Sequence, residues 1–375
     1  MRRRVGLTLV SLIGLRAAGA GTGASVPASL PEKISDYYSC TLYTENDLYS
    51  LGPGTDRYYT TGQKLTVITE ELPNFEQQFR QAWAKYLARM ATEKAAENTA
   101  VPKQDTATAA PLSGPPTQYR VTYSLGQNMY TPANLQTPGL IADDRPYAGW
   151  LYISVGLQAR SRAEGRMARL SDWEVDAGVV GPASLAKQTQ DWVHNNISNS
   201  PLAQGWSNQL HNEPGLNLVY QHKLRWFFGE RDGLGWDAIT HGGFSLGNVA
   251  TYVNAGLALR AGFGLPDDFG ADVIRAGADT SQAGGRPAHW GVNVFAASDG
   301  RAVARDIFLD GNTFVASHHV ARKDFVADLQ YGLTVNYRHI KLTLSQVYRT
   351  LEFKTQSGVQ RYGSITLTFP FPHWK

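Results

Sequence analysis

From about residue 36 onward the chain alternates apolar and polar positions with a period of two. Near the C-terminus Tyr362, Ser364, Thr366 and Thr368 are polar or amphipathic, and Ile365, Leu367 and Phe369 fall between them. Lys341 to Tyr348 and Thr251 to Leu259 repeat the pattern. A wall between lipid and a watery lumen requires one apolar and one polar face; a soluble β-sandwich alternates too. The alternation predicts strands at 37–46, 58–69, 118–128, 147–159, 172–180, 214–228, 234–247, 251–263, 288–305, 324–337, 341–353 and 360–369. Twelve is even, as a bacterial barrel needs. In the run 288–305, Ser298-Asp299-Gly300 reads as a bulge or a turn, and a turn would break that parity. The expected fold class is all-β, a 12-stranded antiparallel transmembrane β-barrel over residues 36–369.

With the N-terminus in the periplasm, connections 47–57, 129–146, 181–213, 248–250, 306–323 and 354–359 face the exterior. Residues 70–117 interrupt the strand rhythm. Phe75, Phe79, Trp83, Leu87 and Met90 recur at helical spacing among polar residues, followed by an Ala/Thr/Pro-rich linker from Asn98 to Thr117. This is a helical insertion on the periplasmic side, whose apolar stripe suits the barrel rim, a partner or a membrane leaflet.

The first residues change the compartment. Met1-Arg2-Arg3-Arg4, the apolar run Val5 to Leu15 and Ala17-Ala18-Gly19-Ala20 have the layout of a secretory signal peptide, about 1–24. Cleavage is expected after Ala20, with Ala24 and Ala28 as alternatives. No stretch reaches the 18 or so apolar residues of a membrane helix, which leaves an exported soluble protein or a closed barrel. The single Cys40 excludes an internal disulfide framework. A net charge of +3 is too weak to argue for nucleic acid, and 37 glycines with 18% charged residues suit strands and turns.

Three polar clusters could carry chemistry. Thr44-Glu45-Asn46-Asp47 with Thr55 to Gly62 sets a carboxylate beside a carboxamide at a strand end, oxygen donors that suit Ca²⁺; ordinary turn chemistry uses the same residues. Asp143 to Trp150 reads as a loop tucked into the barrel mouth by an Asp–Arg pair, with Tyr147 and Trp150 in the aromatic girdle. Gln190 to Asn196 reads as a short helix in an extracellular loop, near the membrane surface. Its His194 is a candidate general base, although a lone loop histidine is more often simply solvated. No G-x-S-x-G elbow, H-E-x-x-H or paired-Cys pattern occurs, so with a histidine base the attacking group would be water.

Taken together and in order, Glu45-Asn46-Asp47, Asp56 to Gly62, Asp144 to Trp150, Val180-Gly181-Pro182, Gln190 to His194 and Gly205 to Pro214 resemble the lipid A 3′-O-deacylase family of outer-membrane barrels. The resemblance implies Ca²⁺-dependent removal of the 3′-linked acyloxyacyl chain of lipid A at the outer leaflet. It maps the Asn–Asp pair onto Asn46 and Asp47, which would hold the metal, the hydroxyl position onto Thr60 and the histidine onto His194. Family members can carry a glutamate shortly after the histidine; here Asn195 to Gln204 holds no acid, and Asp191 is a weak substitute. The tail after Phe369 also departs from a strand-final aromatic. The alternatives are an outer-membrane phospholipase, and a non-catalytic barrel serving as a small pore or an anchor.

Overall fold

Period-two patterning produces twelve strands in the computed structural model: β1 (Tyr38–Asn46), β2 (Tyr58–Ile68), β3 (Thr117–Thr131), β4 (Ala148–Arg162), β5 (Met167–Val180), β6 (Glu213–Gly229), β7 (Leu234–Gly247), β8 (Ala250–Phe263), β9 (Gly291–Asp306), β10 (Phe325–Tyr337), β11 (Ile340–Arg349) and β12 (Gln360–Phe371). The structure describes residues 38–50, 57–69, 71–72, 75, 78–79, 81–86, 89, 117–162, 167–198, 200–230, 232–270, 274 and 290–371. The expected leader and most of the 98–117 linker lie outside them. Of the expected insertion helix, Phe75, 78–79, 81–86 and Arg89 are described, and they are helical.

Each strand pairs antiparallel with its neighbours in chain order, and β1 closes the ring against β12. The barrel is apolar outside and polar inside. Leu42, Leu125, Ile153, Val175 and Leu333 are exposed, whereas Lys64, Arg120, Glu174, Asp237, Asp328 and Arg349 are buried. Buried charges persist when they are paired. Accordingly, Arg225 and Arg260 each meet Asp237 at 2.7 Å, and Arg349 meets Asp328 at 2.8 Å. A twelve-strand bore is narrow enough for such side chains to fill much of it.

β9 runs without interruption. Ser298, Asp299 and Gly300 pair in register with Leu257, Gly256 and Ala255 on one side and with Leu329, Asp328 and Ala327 on the other. The polar triplet interrupts only the apolar pattern: Asp299 faces the lumen, where His241 Nε2 (2.7 Å) and Asn254 Nδ2 (2.8 Å) reach its Oδ1. The register shift falls instead at Ala304, the extra residue between the pairs Thr251–Arg305 and Tyr252–Val303. β12 continues past the expected Phe369 to Phe371. Pro370 opposite Ser39 is tolerated because it lies beyond the last β11 pair, Lys341–Thr368, with no ladder on that side to break.

The odd strands end on one rim, which carries connections 47–57, 132–147, 181–212, 248–249, 307–324 and 350–359. The last of these takes in residues expected to be strand. β11 stops at Arg349, and Glu352 then donates its backbone N–H to Gln356 Oε1 (2.6 Å).

At the other rim the connection after β8 turns inward. Asp267 meets Arg160 (3.0 Å) and Arg225 (2.7 Å), and Asp268 accepts from Lys341 Nζ (2.7 Å) and from Arg260. Phe269 packs with Ala168 and Leu170. Ile274, further along, is buried.

Candidate active site

The end of β1 forms the first half of the site. Ser39, Thr41, Tyr43, Glu45 and Asp47 are buried in alternate succession, so Asp47 continues the lumen-facing row into a 3₁₀ turn, Asp47–Tyr49. Asn46 caps that turn: its Oδ1 accepts the Leu48 N–H (2.7 Å). Its Nδ2 donates to Thr61 Oγ1 (2.6 Å), across the pair that joins β1 to β2. The Arg57 N–H donates to Asp47 Oδ2 (2.7 Å), tying the two ends of the connection together.

Thr60 sits at a β-bulge. The β2–β3 register runs Tyr59–Tyr130 and then Thr61–Met129, leaving Thr60 as the extra residue. Bulges re-aim side chains, and this one brings Thr60 Oγ1 to 2.6 Å from Thr131 Oγ1. Two residues earlier, Tyr58 holds φ +69, a left-handed value that costs about 1–3 kcal/mol for a bulky residue. Its buried ring, edge-on to Phe353 at 5.7 Å, offsets that strain.

His194 comes from the connection after β5. Helix α1 (Ala186–Val193) begins at Leu185, also left-handed at φ +60, and passes into a π-turn, His194–Ser198. Ala186, Gln190 and His194 are buried at four-residue spacing, so one face of the helix turns toward the barrel. Trp192 and Ile197 stay exposed, as expected of a helix near a membrane surface. His194 Nδ1 lies 2.8 Å from the Pro201 carbonyl oxygen. A carbonyl only accepts, so Nδ1 carries the proton and the lone pair of the neutral ring is on Nε2.

Both halves stand on the same rim. Thr61 pairs with Met129, which clusters with Ala186, Tyr147 and Trp206 beneath the histidine helix. Gln127 Nε2 donates to the Ser184 carbonyl (2.6 Å) at the foot of that helix. Asn46 is thus joined to β2 by its pairing with Thr61, next to Thr60, and Asp47 by the Arg57 N–H, and the link to His194 runs through β3. Asp191 pairs with Lys187 one turn earlier.

The Asp143–Trp150 segment departs from expectation. Arg145 pairs with Glu352 (3.1 Å), 207 residues away, and lies over the Tyr130 ring at 4.7 Å. Asp144 is spent on backbone, accepting from the Ala133 N–H (2.7 Å) and the Arg145 N–H (2.8 Å). Tyr147 and Trp150 are buried and form no girdle. Trp150 stacks on Tyr152 (5.4 Å) in the inward phase shared with Ser154 and Gln158. That phase was readable from Ile153 and Val155 between them. Glu352 carried no local signal.

Among the described residues no three His, Cys, Asp or Glu side chains gather as a metal cluster. The donor chemistry at the β1 end still suits a hard cation. Asp47 and the remaining lone pair of Asn46 Oδ1 offer oxygen donors of the kind such an ion takes.

A family model described as "Outer membrane protein LpxR" matches residues 7–371. The chain belongs to the LpxR family. Membership makes it an outer-membrane β-barrel and implies lipid A deacylation. Among solved structures, LpxR from Salmonella typhimurium is 18% identical with a TM-score of 0.62, over 89% of this chain and 100% of that one. More distant are the β domain of the Bordetella autotransporter Brka (8% identity, TM-score 0.42, 89% and 98% covered) and the translocator domain of the autotransporter NalP from Neisseria meningitidis (10%, 0.33, 90% and 89%). No curated relative matches the chain in sequence.

Proposed function

We propose that this LpxR-family chain hydrolyses the ester holding the 3′-linked acyloxyacyl chain of lipid A, at the outer leaflet, with His194 as general base. The observation that supports it most is the His194 Nδ1 contact to the Pro201 carbonyl, which fixes the tautomer a base needs. Nε2 takes a proton from water as the water oxygen bonds to the ester carbonyl carbon. The tetrahedral intermediate then collapses, and the same proton passes to the departing alkoxide, leaving a free fatty acid and a hydroxyl on lipid A.

Asp47 and Asn46 would hold Ca²⁺. When bound, the ion supplies positive charge for the oxyanion. Thr60 fixes the β2 edge beside that corner, and the exposed Trp192 and Ile197 meet lipid. A lumen crossed by ion pairs and by the inward-folded connection favours an enzyme over a pore.

Purified protein in detergent, given lipid A and Ca²⁺, should release a 3′-linked fatty acid detectable by mass spectrometry. In His194→Ala the rate should fall by about 10²–10⁴. An undiminished rate would remove His194 as the base, and release from glycerophospholipids alone would replace lipid A as substrate.

A further inference from the structure

We infer that Glu45 is a positioning residue for the Asn46–Asp47 corner, and that Ile274, from the β8–β9 connection, anchors it from inside the barrel. The inference rests on reading that corner as the active site.

Glu45 is fully buried, and each of its carboxylate oxygens has a different donor. The Ile274 N–H donates to Oε1 at 2.8 Å, and the Tyr59 hydroxyl donates to Oε2 at 2.8 Å. Tyr59 immediately precedes the bulged Thr60, and its ring is held edge-on to Tyr362 at 5.1 Å. One carboxylate therefore joins the end of β1, the residue beside Thr60, and a segment that enters from the opposite rim.

The distances explain the reach of that segment. β8 ends at the rim where β1 starts, and Glu45 lies seven residues along β1 from Tyr38, roughly 23 Å at 3.3 Å per residue. Ten residues separate Gly264 from Ile274, which span at most about 36 Å. Ile274 can therefore reach Glu45 although β8 ends at the opposite rim. The near end of the connection is latched by Asp267 and Asp268 to Arg160, Arg225, Arg260 and Lys341. The far end meets Gly62, the β2 partner of Glu45: a Cβ at Gly62 would lie 2.9 Å from Ile274 Cδ1 and 1.8 Å from the Tyr59 hydroxyl. Filling the lumen would not need a carboxylate at 45. Holding two donors from different elements beside Asn46 does.

The test uses the full-length protein refolded in detergent, with barrel folding checked by heat-modifiable gel mobility. Glu45→Gln keeps the volume but leaves one acceptor for two donors. Hydrogen exchange over 46–50 and at Ile274 should quicken about tenfold or more, the effect of one lost buried bond. In the lipid A assay kcat should fall by a similar factor while KM stays within about twofold, and Tyr59→Phe should give the same split more weakly. Should Glu45→Gln not fold, Asp268→Asn acts at the distant latch and must quicken exchange at both places. Unchanged exchange over 46–50 overturns the inference whatever the activity does. Quickened exchange with an unaltered kcat, in an enzyme that His194→Ala inactivates, overturns the positioning role alone. Activity that survives His194→Ala defeats the proposed function, and the exchange data still decide whether Glu45 holds the corner.

Discussion

Trp206 donates its indole N–H to Gln190 Oε1 at 2.7 Å, one turn before His194 on the same buried helical face. Trp206 also packs on Tyr147 (4.9 Å between ring centroids), so the loop 200–212 holds the histidine helix through the Trp206–Gln190 and His194–Pro201 hydrogen bonds and is itself seated on the 132–147 connection. Gln190→Ala would leave a buried indole N–H without its acceptor, at a cost of about 1–3 kcal/mol. The loss should appear as faster amide exchange over 186–194 and a lower kcat. Barrel unfolding, which depends on the strand ladders, should hardly move. Equal exchange in the variant would show that packing alone seats the helix.

Asp47 is the one carboxylate expected to hold Ca²⁺, beside a neutral Asn46. Asp47→Asn keeps an oxygen that can accept the Arg57 N–H but removes the charge. The Ca²⁺ concentration for half-maximal lipid A deacylation should rise at least about tenfold, a loss of about 1.4 kcal/mol in binding. An unaltered Ca²⁺ titration would take Asp47 out of the metal site.

Arg145 and Glu352 form a buried pair at 3.1 Å that pins the 132–147 loop to the 350–359 loop. Arg145→Ala should destabilise the rim by about 3–5 kcal/mol, because Glu352 stays buried with less counter-charge. Arg349 at 3.5 Å should keep the effect toward the lower end. A double-mutant cycle with Glu352→Gln, followed by thermal unfolding in detergent, measures the coupling; strictly additive effects would deny it.

Asp268 gives the inward-folded connection a pH limit. Burial acts to raise its carboxyl pKa, but Lys341 and Arg260 beside it outweigh that and hold it well below the usual carboxylate range. A depressed value in the folded state means that this stabilisation is fully present above the ordinary carboxyl pKa. It fades as pH falls through the folded value. Exchange protection of 265–270 should therefore persist from neutral pH down to about 4 and fail only in stronger acid. Asp268→Asn should lose protection already at neutral pH, and a variant as protected as the parent would show that the latch is not electrostatic.

The strand ladder was legible because lipid outside and ion pairs inside leave a period-two imprint on nearly every strand. It misled where polarity and direction come apart. Asp299 looked like a turn residue yet points into the lumen among His241, Asn254 and Arg301. Trp150 looked like a girdle residue because an aromatic at a strand end suits either face, and only its phase with Tyr152 and Ser154 decides. The short helix with His194 and the polar end of β1 could both be read locally. The inward placement of Asp267, Asp268 and Ile274 could not, since their partners come from β1, β4, β6, β8 and β11. The lumen-facing Arg160, Arg225, Arg260 and Lys341 required acidic company, but nothing in the sequence said which loop would bring it.

The seam between the first and last strands has a consequence for biogenesis. The turn after Asn46 rests on late residues: Asn46 pairs with Gly363, Gln346 Nε2 donates to the Tyr49 carbonyl, and Gln360 Nε2 donates to the Tyr59 carbonyl. A chain stalled one hairpin short would possess every proposed reactive group but would lack the late residues that brace the turn after Asn46. Lipid-cleaving power would then arrive only with the final stitch of the ring, sparing the cell a half-assembled hydrolase.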